Sequence, residues 1–205
     1  MKAIFPILFC LLLITCKQTE KSNEYLKKAT EIYYFSNLEE NNKIDSSLTL
    51  TNKAIELDRN NINALQHLTV IQFRKKNIDE LLKISDKLIS LRPEHPIYLV
   101  QKASYLEIKG KTEESKKYYQ EALNKYSNYL KNDSLNFDLY LEYVGALEVS
   151  NDTILANSIL NKMKSMNFED YQKEMIDLYK EQYISKNKLL KYWNGEINYD
   201  ELGEK

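Results

Sequence analysis

From Glu24 onward, apolar residues recur at every third or fourth position, and stretches alternating apolar with polar in the manner of a strand are absent. Over 62–75, Leu65, Leu68, Ile71 and Phe73 mark one face of an amphipathic helix. Over 79–91 the corresponding face is Leu81, Leu82, Ile84, Leu88, Ile89 and Leu91. The break between them, Lys75-Lys76-Asn77, has the length of a tight helix–helix turn, which makes antiparallel neighbours. The same reading predicts helices over 25–38 and 44–57 around Glu40-Asn41-Asn42. A long helix containing 117–130 should run into a Lys131-Asn132-Asp133 loop. Further helices are predicted over 137–149 and 153–166 around Ser150-Asn151-Asp152, with a shorter closing pair over 168–184 and 188–193.

These units keep a fixed distance. Ala54, Leu88 and Ala122 each open the apolar end of a second helix at steps of 34 residues. Asn42, Lys76 and Gly110 fall at turns with the same spacing, and Arg59 and Pro93 close their units likewise. A 34-residue helix–turn–helix period is the tetratricopeptide signature. The stretch from Ala64 to Leu81, closed by Leu91-Arg92-Pro93, resembles a tetratricopeptide repeat. The next unit resembles it most closely, through Ala103, Leu106, Lys109-Gly110-Lys111, Glu113-Glu114, Tyr119 and Ala122-Leu123. Thr69 stands where the family has a small Gly or Ala, and Leu81 and Ser115 stand where it has Ala. The resemblance covers residues 24–193 and implies an all-α, tetratricopeptide-like α-α superhelix of about 9–10 helices. A polar tail over 194–205 should be loosely held.

The first residues follow another pattern. Met1-Lys2 gives one positive charge, and the next twelve residues are apolar apart from Pro6. Twelve are too few for a helix to cross a hydrocarbon core, which takes roughly 20 residues; a short basic start before such a run is the pattern of a secretory signal. Leu13-Ile14-Thr15-Cys16 resembles the lipobox of bacterial lipoproteins, with Thr15 in the small-residue position. The resemblance implies a signal peptide over 1–15, cleavage before Cys16, and fatty acylation (palmitate-type chains) of Cys16. Lys17 is not the Asp that resembles an inner-membrane retention signal, so the outer membrane is expected, with its periplasmic or surface face undetermined. Residues 16–23 then read as a polar tether between lipid and fold.

Composition narrows the classes. Gly and Pro total only 7 of 205 residues, which excludes a turn-rich β-sandwich and suits stacked helix pairs. The 29 basic and 30 acidic residues give a net charge of −1, against a nucleic-acid partner. Removing residues 1–15 takes only Lys2, so 28 basic residues remain against 30 acidic ones and the net becomes −2. Both cysteines, Cys10 and Cys16, lie in the first sixteen residues, so no disulfide staples the body.

Chemistry is sparse. His67 and His95 lack the Cys or HExxH companions of a metal site, and no P-loop, G-x-S-x-G or GxGxxG occurs, so no metal or cofactor is expected. The tetratricopeptide resemblance implies a peptide-binding groove lined by the first helix of each pair. It would comprise Tyr33, Asn63, Gln66, His67, Val70, Phe73, Arg74, Gln101, Ser104, Glu107, Asp138 and Glu142, with Ser36 beside them. Asn and Gln there could bond a peptide backbone while Tyr33 and Phe73 give apolar contact. The basic cluster of the carboxylate-clamp members is missing, since only Arg74 stands out. Asp133-Ser134-Leu135 and Asp152-Thr153-Ile154 resemble an O-glycosylation sequon of some Gram-negative bacteria, but Asp, Ser and Thr at helix starts are expected first as caps.

The reading that results is a lipid-anchored, non-catalytic scaffold of the cell envelope that binds an unknown envelope protein or peptide. Two other readings stand beside it. Sixteen tyrosines could stack on sugars in a glycan-binding lipoprotein, although helical spacing makes them packing residues first. Glu107, Asp138 and Glu142 could serve a hydrolase if burial raised one carboxyl pKa.

Overall fold

The computed structural model describes residues 4–182 and 184–203, with side chains from Lys17 onward except at 182. The expected signal segment and the Cys16 side chain therefore lie outside the described side chains. Among the described residues ten α-helices follow one another and no strand occurs. They fall into two compact units, Met1–Leu91 and Arg92–Lys205.

The first unit holds α1 (Ile4–Phe35), α2 (Glu40–Leu57), α3 (Ile62–Arg74) and α4 (Ile78–Leu91). Consecutive helices pack together and α1 also meets α3, as stacked pairs require. Alanines carry the close approaches: Ala29, Ala54 and Ala64 are fully buried beside Leu65, Ile71, Leu81 and Leu88. The second unit holds α5 (Ile97–Ile108), α6 (Thr112–Asn132), α7 (Phe137–Val149), α8 (Thr153–Ser165), α9 (Asp170–Gln182) and α10 (Lys186–Asn194). A core cluster runs from Leu130 through Phe137, Tyr140, Val144, Leu147, Leu160 and Met163 to Phe168 and Ile176. Ala103, Ala122, Ala146 and Ala156 are buried at their helix contacts.

Helix ends are set by local chemistry. Asn61, Asn136 and Asp152 each accept a hydrogen bond from the backbone N–H three residues on (3.1, 3.0 and 3.2 Å), capping α3, α7 and α8. Asp152 of the sequon-like triplet is thus the cap of α8. Among the described residues, four helices stop in the same way. Lys76, Gly110, Asn151 and Gly195 take positive φ, and the next N–H returns to a carbonyl of the last turn.

Three expectations are corrected. The first turn lies over 36–39, and Asn42 is already inside α2: α1 stops at Phe35, where Ser36 bonds back to the Ile32 carbonyl (2.7 Å). The polar run 17–23 is a continuation of α1, not a loose tether. Ser22 is fully buried, donates to the Ala54 carbonyl (2.8 Å) and accepts from Asn61 Nδ2 (2.8 Å). The tail is held as well: a short 3₁₀ turn over Asp200–Leu202 buries Leu202, and the Tyr199 ring lies 6.0 Å from that of Tyr192. Among the described residues no helix is long and apolar enough to cross a membrane.

Candidate functional site

In the first unit the expected residues divide by burial. Asn63 and Gln66 are exposed on α3, and Val70 is 36% exposed one turn along. Phe73 and Arg74 are half-buried, with Arg74 Nη2 3.0 Å from Glu40 Oε1 on α2. Tyr33 is half-buried and meets the His67 ring edge-on at 5.6 Å. His67 does not line a surface. It is buried, its Nε2 stands 2.9 Å from Ser47 Oγ, and Ser47 donates its proton to the Ala29 carbonyl (2.9 Å). Nε2 must then be the donor, and desolvation lowers the pKa of the ring below the ordinary value. The hydroxyl that turns this ring inward sits on α2, twenty residues away in sequence. Beside the ring cluster, Tyr34 (55% exposed), Phe35 (80%) and Leu38 (46%) leave apolar surface in solvent.

In the second unit the expected residues separate into two clefts. One, about 550 Å³, is lined by Asp138, Glu142, Glu94, His95, Pro96, Tyr129, Asn136 and Leu139. Asp138 and Glu142 are exposed there, and Glu142 accepts from the buried Tyr126 hydroxyl at 3.0 Å. The other, about 410 Å³, is lined by Glu107, Glu148, Asn151, Thr153, Ser185, Lys186, Asn187 and Leu190. Glu107 accepts from the Tyr119 hydroxyl at 3.2 Å and pairs with Lys186 at 2.7 Å. Ser104 lies 3.0 Å from the same tyrosine, and Gln101 is half-buried a turn earlier on α5. The three carboxylates of the hydrolase reading thus do not line one cleft. Asp138 and Glu142 stand in solvent, without the apolar surroundings that general-acid chemistry asks of a carboxyl group.

Glu148, Tyr119, Tyr126, Tyr179 and Lys186 were not among the expected site residues. Glu148 is only 8% exposed and takes a 2.6 Å hydrogen bond from Tyr179; burial pushes its pKa above the ordinary value. A carboxylate at the end of the apolar run from Val144 to Val149 was the signal that could have found it. Lys186 had none, because its partner is 79 residues earlier in the chain. His95 is exposed, near the Tyr98 ring (6.1 Å), and among the described residues no three His, Cys, Asp or Glu converge as metal ligands.

The architecture has a counterpart among solved structures. A thermophilic TPR protein from Thermus thermophilus superposes with a TM-score of 0.53 over 85% of this chain and 89% of its own, at 15% sequence identity. The fold is all-α and tetratricopeptide-like. No protein-family model matches the sequence, and no curated protein matches it.

Proposed function

We propose that this chain is a lipid-anchored, non-catalytic scaffold of the bacterial cell envelope, seated on the outer membrane, that binds a protein or peptide partner. The observation that carries the binding role is the exposed apolar surface of the first unit, on a fold built from stacked helix pairs. Tyr34 and Phe35 stand in solvent beside the Tyr33–His67 contact, and Leu38 and Val70 add exposed apolar surface on the same unit, which suits an apolar anchor of a partner.

The lipobox-like Leu13-Ile14-Thr15-Cys16 supports the anchor. Two or three acyl chains on Cys16, at about 0.8 kcal/mol per buried CH₂, would hold the chain durably. The packing of Ser22 adds a geometric consequence. Six helical residues span about 9 Å, so the first buried side chain would sit close to the lipid headgroups and the body would have little freedom to swing away. Cys16→Ser should release the protein from sedimented membranes into the soluble fraction and abolish incorporation of a fatty-acid label. Retention of Cys16→Ser on membranes at the wild-type level would contradict the anchor.

A further inference from the structure

Helix α10 is nine residues long, too short to hold helical form in water unaided. Its order depends on what it touches. Its first residue, Lys186, reaches across to α5, and the ion pair with Glu107 is largely withdrawn from solvent, with side chains 16% and 22% exposed. The ammonium also stands 5.6 Å from the centre of the Tyr119 ring, whose hydroxyl bonds the other oxygen of Glu107. Three and four residues on, Leu189 and Leu190 line an apolar niche with Ile108 of α5 and Val149 of α7. Glu148 lines the adjoining cleft, so a second carboxylate faces the same helix start. The rest of the segment is folded on α10 itself: Gly195 turns the chain, and Tyr199 and Leu202 return beside the buried Tyr192.

A lysine in a carboxylate–tyrosine pocket, with leucines at i+3 and i+4 in a neighbouring apolar niche, is how a short amphipathic helix is read by a groove. We propose that the face made by α5 and α7 is a recognition cleft for a helical peptide carrying Lys-x-x-Leu-Leu, and that α10 is its built-in, displaceable occupant. This rests on the scaffold reading and gives it a partner chemistry: a basic, leucine-bearing helix. A tethered segment meets its site at an effective concentration on the order of mM. A partner helix in solution must therefore outcompete α10, and the cleft opens only to a ligand presented at high local concentration or with better contacts.

The chain contains one tryptophan, Trp193, and it lies on α10. In the full chain held in detergent, Lys186→Glu should shift Trp193 emission to the red and raise its quenching by iodide at least threefold, with far-UV dichroism nearly unchanged. Lys186→Gln should do the same more weakly. Adding Glu107→Lys to Lys186→Glu should restore the wild-type emission by exchanging the charges. A fluorescein-labelled synthetic peptide of residues 184–203 should bind the Lys186→Glu protein at least tenfold more tightly than wild type, whose cleft is filled in cis. That binding should be lost in the Lys186→Glu, Glu107→Lys double variant. Unchanged emission and quenching in both Lys186 variants, or equal peptide binding by all three proteins, would overturn the proposal. Neither result would touch partner contacts made through Phe35 and Val70 of the first unit, so the scaffold reading stands or falls separately.

Discussion

Glu107, Glu142 and Glu148 are each held by a tyrosine hydroxyl from a neighbouring helix: Tyr119 and Tyr126 of α6, and Tyr179 of α9. The two α6 phenols are buried, and desolvation together with the adjacent carboxylate pushes their pKa up, so they remain donors throughout the physiological range. Much of the tyrosine richness in the sequence is thus an internal device that fixes carboxylates, which a count of sixteen could not reveal. Glu148 is the most withdrawn of the three acids. Its folded pKa lies above the unfolded value, so its contribution is fully favourable below the unfolded pKa and is lost as pH rises through the folded one. Glu148→Gln keeps an acceptor for Tyr179 and should raise the melting temperature at pH 7 while leaving it unchanged near pH 3. Calorimetry at the two pH values checks this. His67 acts in the opposite sense. Its pKa is lowered, so the folded first unit resists protonation, and stability should fall as pH drops below about 6.5. His67→Gln, which keeps a donor for Ser47, should flatten that limb of the denaturation curve. His67→Ala should cost about 1–3 kcal/mol at pH 7 by removing the donor to the buried Ser47 oxygen and the ring that packs on Tyr33.

At the scale of elements, the repeated stop at helix C-termini explains why the period was visible. Lys76 and Gly110 are 34 residues apart and share one left-handed turn, and Asn151 repeats it after the longer α6. Only two of these three positions use residues suited to positive φ. A Cβ on Gly110 would meet no atom within 4 Å, so Gly110→Ala tests conformation alone and should cost about 1 kcal/mol in urea denaturation. Lys76→Gly should gain up to about 1 kcal/mol by relieving the same strain. Periodicity located α7 to the residue, and α3, α4 and α8 within one. It failed where polar residues are buried through distant partners. Ser22 reads as tether until Asn61, thirty-nine positions on, supplies its hydrogen bond. Likewise Tyr199 and Leu202 read as tail until α10 offers Tyr192 to pack on. Residue-by-residue polarity carries no information about such pairings, so the fold class was legible but the inward turn of His67 and the place of Lys186 were not.

At the scale of the molecule, the proposed anchor rests on the lipobox-like start of the sequence, and the fold supplies surfaces. Ser22, six residues beyond the lipobox-like segment, is the first buried side chain among the described residues, and each unit offers contacts of its own. Both leave large apolar groups bare, Tyr34 and Phe35 in the first and Ile154 and Tyr171 in the second; the second also presents carboxylates and holds its own basic helix among them. A scaffold that binds through the first of these surfaces should touch one partner at a defined place. Replacing Phe35 or Val70 by a photo-crosslinking amino acid in intact cells, and irradiating, addresses this directly. One discrete protein adduct is expected from both positions, and none when the reporter replaces Glu113 in the exposed, charged first turn of α6. Adducts that are diffuse, or equally strong from all three positions, would contradict a specific protein-binding scaffold.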